Sequence, residues 1–170
     1  MGRMEKLVVL LSLLTAVTAL GLLKPWPVAV GAPLLLAQDS GGRPCQPTPP
    51  DALGPFYKPG APVRNRVGEG YVLSGVVRSA GTCAPIPGAR LEFWLGGPDG
   101  NYDDAHRATL FADGQGAFRF ESNFPPRYSF RPPHIHIRAT AEGFKTLVTQ
   151  HYPAAGKTAG TMDLVLVPAP

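Results

Sequence analysis

From residue 71 onward, apolar and polar positions alternate in short runs, the two-residue period of strands that bury one face. Tyr71–Arg78 is rich in β-formers and carries Gly75, the mark of a candidate bulge. In Arg90–Leu95, Leu91, Phe93 and Leu95 fall on one face, with Glu92 and Trp94 on the other. Gly116–Glu121 turns Phe118 and Phe120 inward and Arg119 and Glu121 outward. Ile135–Ala141, Lys145–Gln150 and Met162–Val167 complete the set, with Met162, Leu164 and Leu166 sharing a face. Turn signals separate these runs at Ala80-Gly81, Pro87-Gly88, Gly96-Gly97-Pro98-Asp99-Gly100, Asp113-Gly114 and Glu142-Gly143. No segment after residue 40 carries a helical period, and the chain has no internal repeat. The pattern predicts an all-β protein: a single β-sandwich of about seven or more short strands over residues 63–170, joined by long Pro/Gly-rich loops. A Pro-rich N-terminal arm, 38–62, precedes it and either wraps the core or serves as a linker.

The start of the chain has a different pattern. Arg3 and Lys6 precede an uncharged run from Leu7 to Leu23 that only Ser12, Thr15 and Thr18 interrupt. A basic start followed by an apolar stretch is a secretory signal pattern. The run is near the lower limit for crossing a bilayer. Residues 1–37 therefore read as a signal peptide, cut after Gly31 or Ala37, or as an N-terminal membrane anchor. Either way the expectation is an exported protein, periplasmic or secreted, with a membrane tether as the alternative.

Composition narrows the class further. Gly and Pro number 20 each among 170 residues, about twice their ordinary combined share, yet no three-residue period points to collagen. The formal charge is +4, and residues 1–37 supply half of it. No Lys/Arg cluster stands beyond Arg64-Asn65-Arg66, so a nucleic-acid partner is not expected. The two cysteines, Cys45 and Cys83, both follow the export segment, and an even number in an exported chain suggests one disulfide. Free thiols are the alternative; zinc is disfavoured because neither cysteine sits in a short-spaced pair.

Candidate chemistry is concentrated between residues 102 and 152. In His134-Ile135-His136 the two imidazoles point to one face of a strand and can reach one ion, while Ile135 and Ile137 face the core. An isolated pair of this kind is often only an exposed strand face. Here Arg131-Pro132-Pro133 stiffens the approach, Tyr128 lies just upstream, and Tyr102 follows the Gly-rich turn. A phenol ordinarily ionises near pH 10, so only a strongly Lewis-acidic ion converts it to a bound phenolate at neutral pH. Two His with two Tyr favour Fe(III). Zinc on two His and a carboxylate, Asp103 or Asp104, is the competing arrangement.

Gly54-Pro55-Phe56-Tyr57, Pro85-Ile86-Pro87-Gly88-Ala89, Trp94 with Gly100-Asn101-Tyr102, Arg131-Pro132-Pro133-His134-Ile135-His136 and Thr149-Gln150-His151-Tyr152 occur in an order that resembles the intradiol ring-cleavage dioxygenases. The resemblance spans roughly residues 50 to 155. It implies a β-sandwich holding one non-haem Fe(III) per chain, with Tyr102, Tyr128, His134 and His136 as metal ligands. It implies Arg131 facing the bound aromatic ring and Gln150 behind the pocket as the catalytic pair. The implied reaction inserts both atoms of O2 into a catechol-type substrate between its hydroxylated carbons, giving a muconate-type diacid. Tyr128 stands only three residues before Arg131, a shorter loop than in cytoplasmic members, and an N-terminal helical domain of the kind catechol-type members use to dimerise is not expected. These features look more like the exported branch, and a homo-oligomer stays open. Arg64, Arg66 or Arg127 could supply the cation a carboxylated ring would want. His106 and His151 are expected at the surface. The rival class is a non-catalytic secreted β-sandwich module binding a glycan or wall polymer, with Trp94, Tyr102 and Tyr152 as stacking surfaces.

Overall fold

Each alternating run becomes a strand with its apolar face buried. The computed structural model describes residues 45–170; the signal or anchor expected over residues 1–37, and the first part of the arm, lie outside them. The described residues hold β1 (Tyr71–Ser79), β2 (Arg90–Trp94), β3 (Arg107–Phe111), β4 (Ala117–Ser122), β5 (Ile135–Thr140), β6 (Leu147–His151), β7 (Ala159–Thr161) and β8 (Leu164–Leu166). A single 3₁₀ turn, Asp104–His106, leads into β3. One sheet has β1 at its centre, antiparallel to β4 on one side and parallel to β7 and then β8 on the other. The other sheet runs β3-β2-β5-β6 with every neighbour antiparallel.

The two sheets bury one core between their inner faces. Leu73, Val77, Phe118, Phe120, Leu164 and Leu166 come from the first, and Leu91, Phe93, Leu110, Ile135, Ile137 and Leu147 from the second. The rings of Phe93 and Phe120 stack across the interface with centroids 4.3 Å apart. The predicted inward faces are therefore the observed ones, and the β-sandwich is the fold.

Two strands go beyond the sequence pattern. β3 alternates Ala108 and Leu110 with Arg107 and Thr109, and all four are buried, so the polar side does not mark a solvent face. The run expected at Met162–Val167 narrows to β8, and a separate short strand, β7, precedes it. The kink between them lies beside Gly75, where a Cβ would sit 2.0 Å from the Met162 carbonyl oxygen. Asp163 fills the break by accepting from the Val76 amide at 2.9 Å and pairing with Arg78. Gly75 is therefore not a bulge within its own strand, whose pairing with β4 runs unbroken through Gly75 opposite Phe118. It is a close-approach position for the neighbouring edge.

The arm forms a third layer. Its backbone follows the edge of β6, where the Asp51 amide donates to the Val148 carbonyl at 2.9 Å, and then crosses the outer face of the second sheet. Cys45, at the start of the described arm, meets Cys83 in the turn between β1 and β2, with Cα atoms 4.9 Å apart, within bridging range.

Candidate active site

Register places the polar residues of the second sheet. Across its four strands one outward row reads Arg107, Trp94, His136, Gln150, each directly opposite the next. The adjoining row contains Thr109, Glu92 and Arg138. An outer face of this composition would normally be wet, but Arg107, Glu92, His136 and Gln150 are all nearly inaccessible. The arm covers them and supplies partners to Glu92, Arg107 and Gln150, whereas His136 Nδ1 and Arg107 Nε are buried without a hydrogen-bond partner. Tyr57 packs over Trp94, with centroids 5.1 Å apart, and its hydroxyl donates to Glu92 at 3.3 Å. Arg138 and Arg90 donate to the same carboxylate at 2.6 and 3.1 Å. Arg107 donates to the Phe56 and Tyr102 carbonyls, and Gln150 to the Ala52 carbonyl.

Beside this row lies a cavity of about 50 Å³ lined by Gly54, Pro55, Phe56, Tyr102, Tyr128, Arg131, His134 and His136. The two imidazole centroids are 4.8 Å apart and the two phenol rings 5.7 Å apart. The Tyr102 oxygen stands 3.2 Å from His134 Nε2. His134 Nδ1 lies 2.7 Å from the Pro132 carbonyl; only a protonated nitrogen can donate there, which leaves the Nε2 lone pair facing the cavity. His136 stacks flat on Trp94, centroids 4.9 Å apart at 4°. Gly54 brings the arm backbone against its other side, with φ +71° and room for no Cβ, which would stand 2.9 Å from His136 Cε1.

The electrostatics of the cavity favour neutral groups. Burial, reinforced by the neighbouring His134, lowers the His136 pKa to about 4, so at neutral pH the ring offers a lone pair. Burial pushes the Tyr102 phenol above its usual value and nearby Tyr128 adds to the effect, while Arg131 opposes it. Tyr102 is held between the Arg107 bond to its carbonyl and the ring of Phe56, stacked at 4.3 Å. Tyr128 is less enclosed: it is 39% exposed and sits in a tight turn. That turn places Ser129 in the left-handed region at φ +54°, and the Arg131 amide closes it by donating to the Tyr128 carbonyl. The short spacing between Tyr128 and Arg131 is what lets both side chains reach one cavity.

Arg131 is fixed from behind. Its Nη2 donates to Gln150 Oε1 at 2.9 Å and to the Tyr152 hydroxyl at 2.8 Å. The Tyr152 hydroxyl lies 2.7 Å from Asp51 Oδ2 on the arm.

The structure thus brings Tyr102, Tyr128, Arg131, His134 and His136 to one cavity, with Gln150 reaching it through Arg131. Other expectations need correction. Among the described residues no three His, Cys, Asp or Glu side chains cluster to hold a metal ion. Asp103 instead caps the 3₁₀ turn and pairs with His106, and Asp104 meets Lys58, so the zinc arrangement is not assembled. His151 is partly buried, its Nε2 2.6 Å from the Tyr71 hydroxyl, and the His106 side chain is only 15% exposed. Their neighbours, not solvent, satisfy them. Trp94, at 2% exposed beneath Tyr57, cannot be a glycan-stacking surface. Arg64 spends its guanidinium on the carbonyls of Asp104, Ala105 and Arg107, and Arg66 pairs with Glu69 and Glu121. Arg107 and Asp51 escape sequence reasoning, and Phe56 and Tyr152 enter it only as motif or stacking residues without these contacts, since nothing in a run of arm residues or an Arg at a strand start announces a partner so far away in sequence.

No protein-family model matches the chain. It is 30% identical over 142 residues to the chlorocatechol 1,2-dioxygenase of Pseudomonas putida, covering 64% of this chain and 54% of that protein. It is 28% identical over 144 residues to the intradiol ring-cleavage dioxygenase prcA of Aspergillus niger, covering 64% and 46%. The chain spans about half the length of these curated relatives. Among solved structures, the dioxygenase domain of a dioxygenase carbohydrate-binding protein fusion from the cellulolytic bacterium Streptomyces sp. SirexAA-E is 31% identical. It superposes with a TM-score of 0.64 over 73% of this chain and 100% of that one.

Proposed function

The chain belongs to the intradiol ring-cleavage dioxygenase family, and on that premise we propose that it cleaves a catechol-type ring between its two hydroxylated carbons, using both atoms of O2 and giving a muconate-type diacid. The cofactor of this reading is one non-haem Fe(III), with Tyr102, Tyr128, His134 and His136 as its ligands. The observation that carries it is the convergence of two phenols and two imidazoles on one cavity beside a restrained guanidinium.

The donor set fits such an ion. His134 presents a lone pair by its bond to Pro132, and His136 is neutral well below pH 7. The Tyr102 phenol, raised by burial, becomes a phenolate at neutral pH only against a strong Lewis acid. Ferric iron, when bound, would draw electron density from a catecholate ring and make a ring carbon reactive toward O2.

The remaining work belongs to side chains. Tyr102 is clamped by Phe56 and Arg107, whereas Tyr128 is partly exposed; Tyr128 is the phenol free to swing aside, and its oxygen can take a proton from an incoming catechol hydroxyl. The cavity itself is smaller than an aromatic ring, so the substrate occupies its open side, bounded by Tyr128 and Arg131. There the Arg131 guanidinium stabilises carbanion-like charge developing on the ring. Phe56 and Pro55 line the side of the cavity beneath the arm. Of the three cations considered for a carboxylated ring, only Arg127, next to Tyr128, adjoins the cavity in sequence, because Arg64 and Arg66 are committed elsewhere.

Export and a Cys45–Cys83 disulfide belong to the same reading. The N-terminal basic and apolar pattern supports the first, and the meeting of the two cysteines supports the second. Activity is tested by supplying catechol under 18O2: the reading expects equimolar O2 uptake and a ring-opened diacid carrying both labelled atoms. A product cleaved outside the two hydroxyls, or no uptake by protein with full iron content, would overturn it.

A further inference from the structure

Among the described residues Arg131 has no acidic partner in direct contact. Its Nη2 instead meets two neutral oxygens, Gln150 Oε1 at 2.9 Å and Tyr152 Oη at 2.8 Å. The Tyr152 hydroxyl has one hydrogen and two acceptors in reach, Asp51 Oδ2 at 2.7 Å and Gln150 Oε1 at 3.1 Å. The shorter contact, to a charged oxygen, takes it. That choice turns an oxygen lone pair toward the guanidinium and leaves Gln150 Oε1 free to accept from Arg131. Asp51 is itself anchored: its amide donates to the Val148 carbonyl, and its Oδ1 accepts from the Ala52 amide at 2.6 Å. The Ala52 carbonyl accepts from Gln150 Nε2 at 2.6 Å. The result is a closed circuit in which the arm supplies Asp51 and Ala52, the end of β6 and the residue just beyond it supply Gln150 and Tyr152, and the turn before β5 supplies Arg131.

We propose that Asp51 and Tyr152 are positioning residues for the reaction, holding the Arg131 guanidinium over the substrate side of the cavity and keeping it out of a direct ion pair. The proposal rests on the functional reading above for Arg131's role toward substrate. Tyr152 acts as a spacer. It lets the Asp51 charge polarise Arg131 through a hydroxyl without drawing the guanidinium onto the carboxylate and away from the ring. Without the hydroxyl, Asp51 Oδ2 loses its donor and Arg131 loses one of two acceptors, so the two opposite charges move together. Small misplacements of a charge-stabilising group cost rate more than binding.

The variants are Tyr152→Phe, Asp51→Asn and the double substitution, measured in the iron-loaded full chain with catechol, and by ¹⁵N–¹H NMR of the arginine side chains in the metal-free protein. Tyr152→Phe should lower kcat roughly 10- to 100-fold with KM changed less than threefold, at unchanged iron content and visible spectrum. Asp51→Asn should lower it less, since an amide oxygen still accepts from Tyr152. The double variant should recover part of the Tyr152→Phe loss, because the charge that pulls Arg131 aside is gone; a purely structural role would not give that recovery. In the NMR spectrum the restrained Nη signal of Arg131 should move in Tyr152→Phe. Wild-type kcat in Tyr152→Phe, or an unmoved Arg131 signal, would overturn the proposal. An inactive wild type whose Arg131 signal nevertheless shifts on substitution would overturn the functional reading and leave the positioning circuit standing.

Discussion

Two glycines of the arm share a backbone conformation and differ in what surrounds them, which isolates the pressure that the arm puts on His136. Gly54 has φ +71° and Gly60 φ +80°, so alanine at either position pays the left-handed cost of about 1–2 kcal/mol. At Gly60 nothing lies within 4 Å of the new Cβ, and the cost ends there. At Gly54 the Cβ would stand 2.9 Å from His136 Cε1 and 3.4 Å from Nε2. His136 cannot retreat, because Trp94 lies flat against its far side at 4.9 Å. Overpacking of this kind adds about 1–3 kcal/mol. For a domain of this size, where 1 kcal/mol moves Tm by roughly 4 °C, Gly60→Ala should melt about 6 °C low and Gly54→Ala about 14 °C low. Displacing a ligand or its support typically weakens a metal site about 10- to 100-fold, and only Gly54→Ala should do so. Calorimetry and competitive iron titration of both variants are the assays. Equal melting and equal iron affinity in the two would refute the claim that the arm backbone braces His136.

The metal-free protein should lose stability as pH falls from about 6.5 toward 4. His136 has a folded pKa of about 4 against an ordinary 6.5, so the unfolded chain binds the extra proton and stability is fully present only above 6.5, at a cost of up to about 3 kcal/mol; urea unfolding at pH 7 and pH 4.5 should differ accordingly, and a His136→Gln variant that keeps the full slope would refute the assignment. Glu92→Gln should destabilise by about 2–3 kcal/mol, because Arg138 and Arg90 lose a buried carboxylate; catecholate binding should not change, and a melting point equal to wild type would count against the paired arrangement. Cys83→Ser should cost about 3–4 kcal/mol through a loop closed across 38 residues; if a reductant leaves the wild-type melting curve in place, the cysteines are not bridged.

The inward-facing residues of β2, β4, β5 and β8 could be read from alternation because burial on one face leaves a two-residue signature. β3 could not, since the arm buries its polar face as well: Arg107 and Thr109 are as inaccessible as Ala108 and Leu110. The same covering explains Trp94, a candidate surface aromatic that lies under Tyr57. The local motif Arg131 to His136 with Tyr128 was legible because its residues lie within one strand and one turn. Asp51 and Tyr152 are 101 positions apart, and a carboxylate among prolines carries no sign of the hydroxyl it will meet. Long-range hydrogen bonds from an aperiodic arm have no sequence period to betray them.

Whether Tyr102, Tyr128, His134 and His136 together hold ferric iron is read from the visible absorption spectrum of the purified full chain, with iron quantified. Tyrosinate on Fe(III) gives a charge-transfer colour that zinc or an empty site cannot. With these four ligands the protein should be coloured and carry about one iron per chain, with a band that shifts when catechol is added without oxygen and that weakens and moves in Tyr102→Phe. A protein that stays colourless after reconstitution with ferric iron, or one whose colour survives loss of both Tyr102 and Tyr128, would contradict that ligand set.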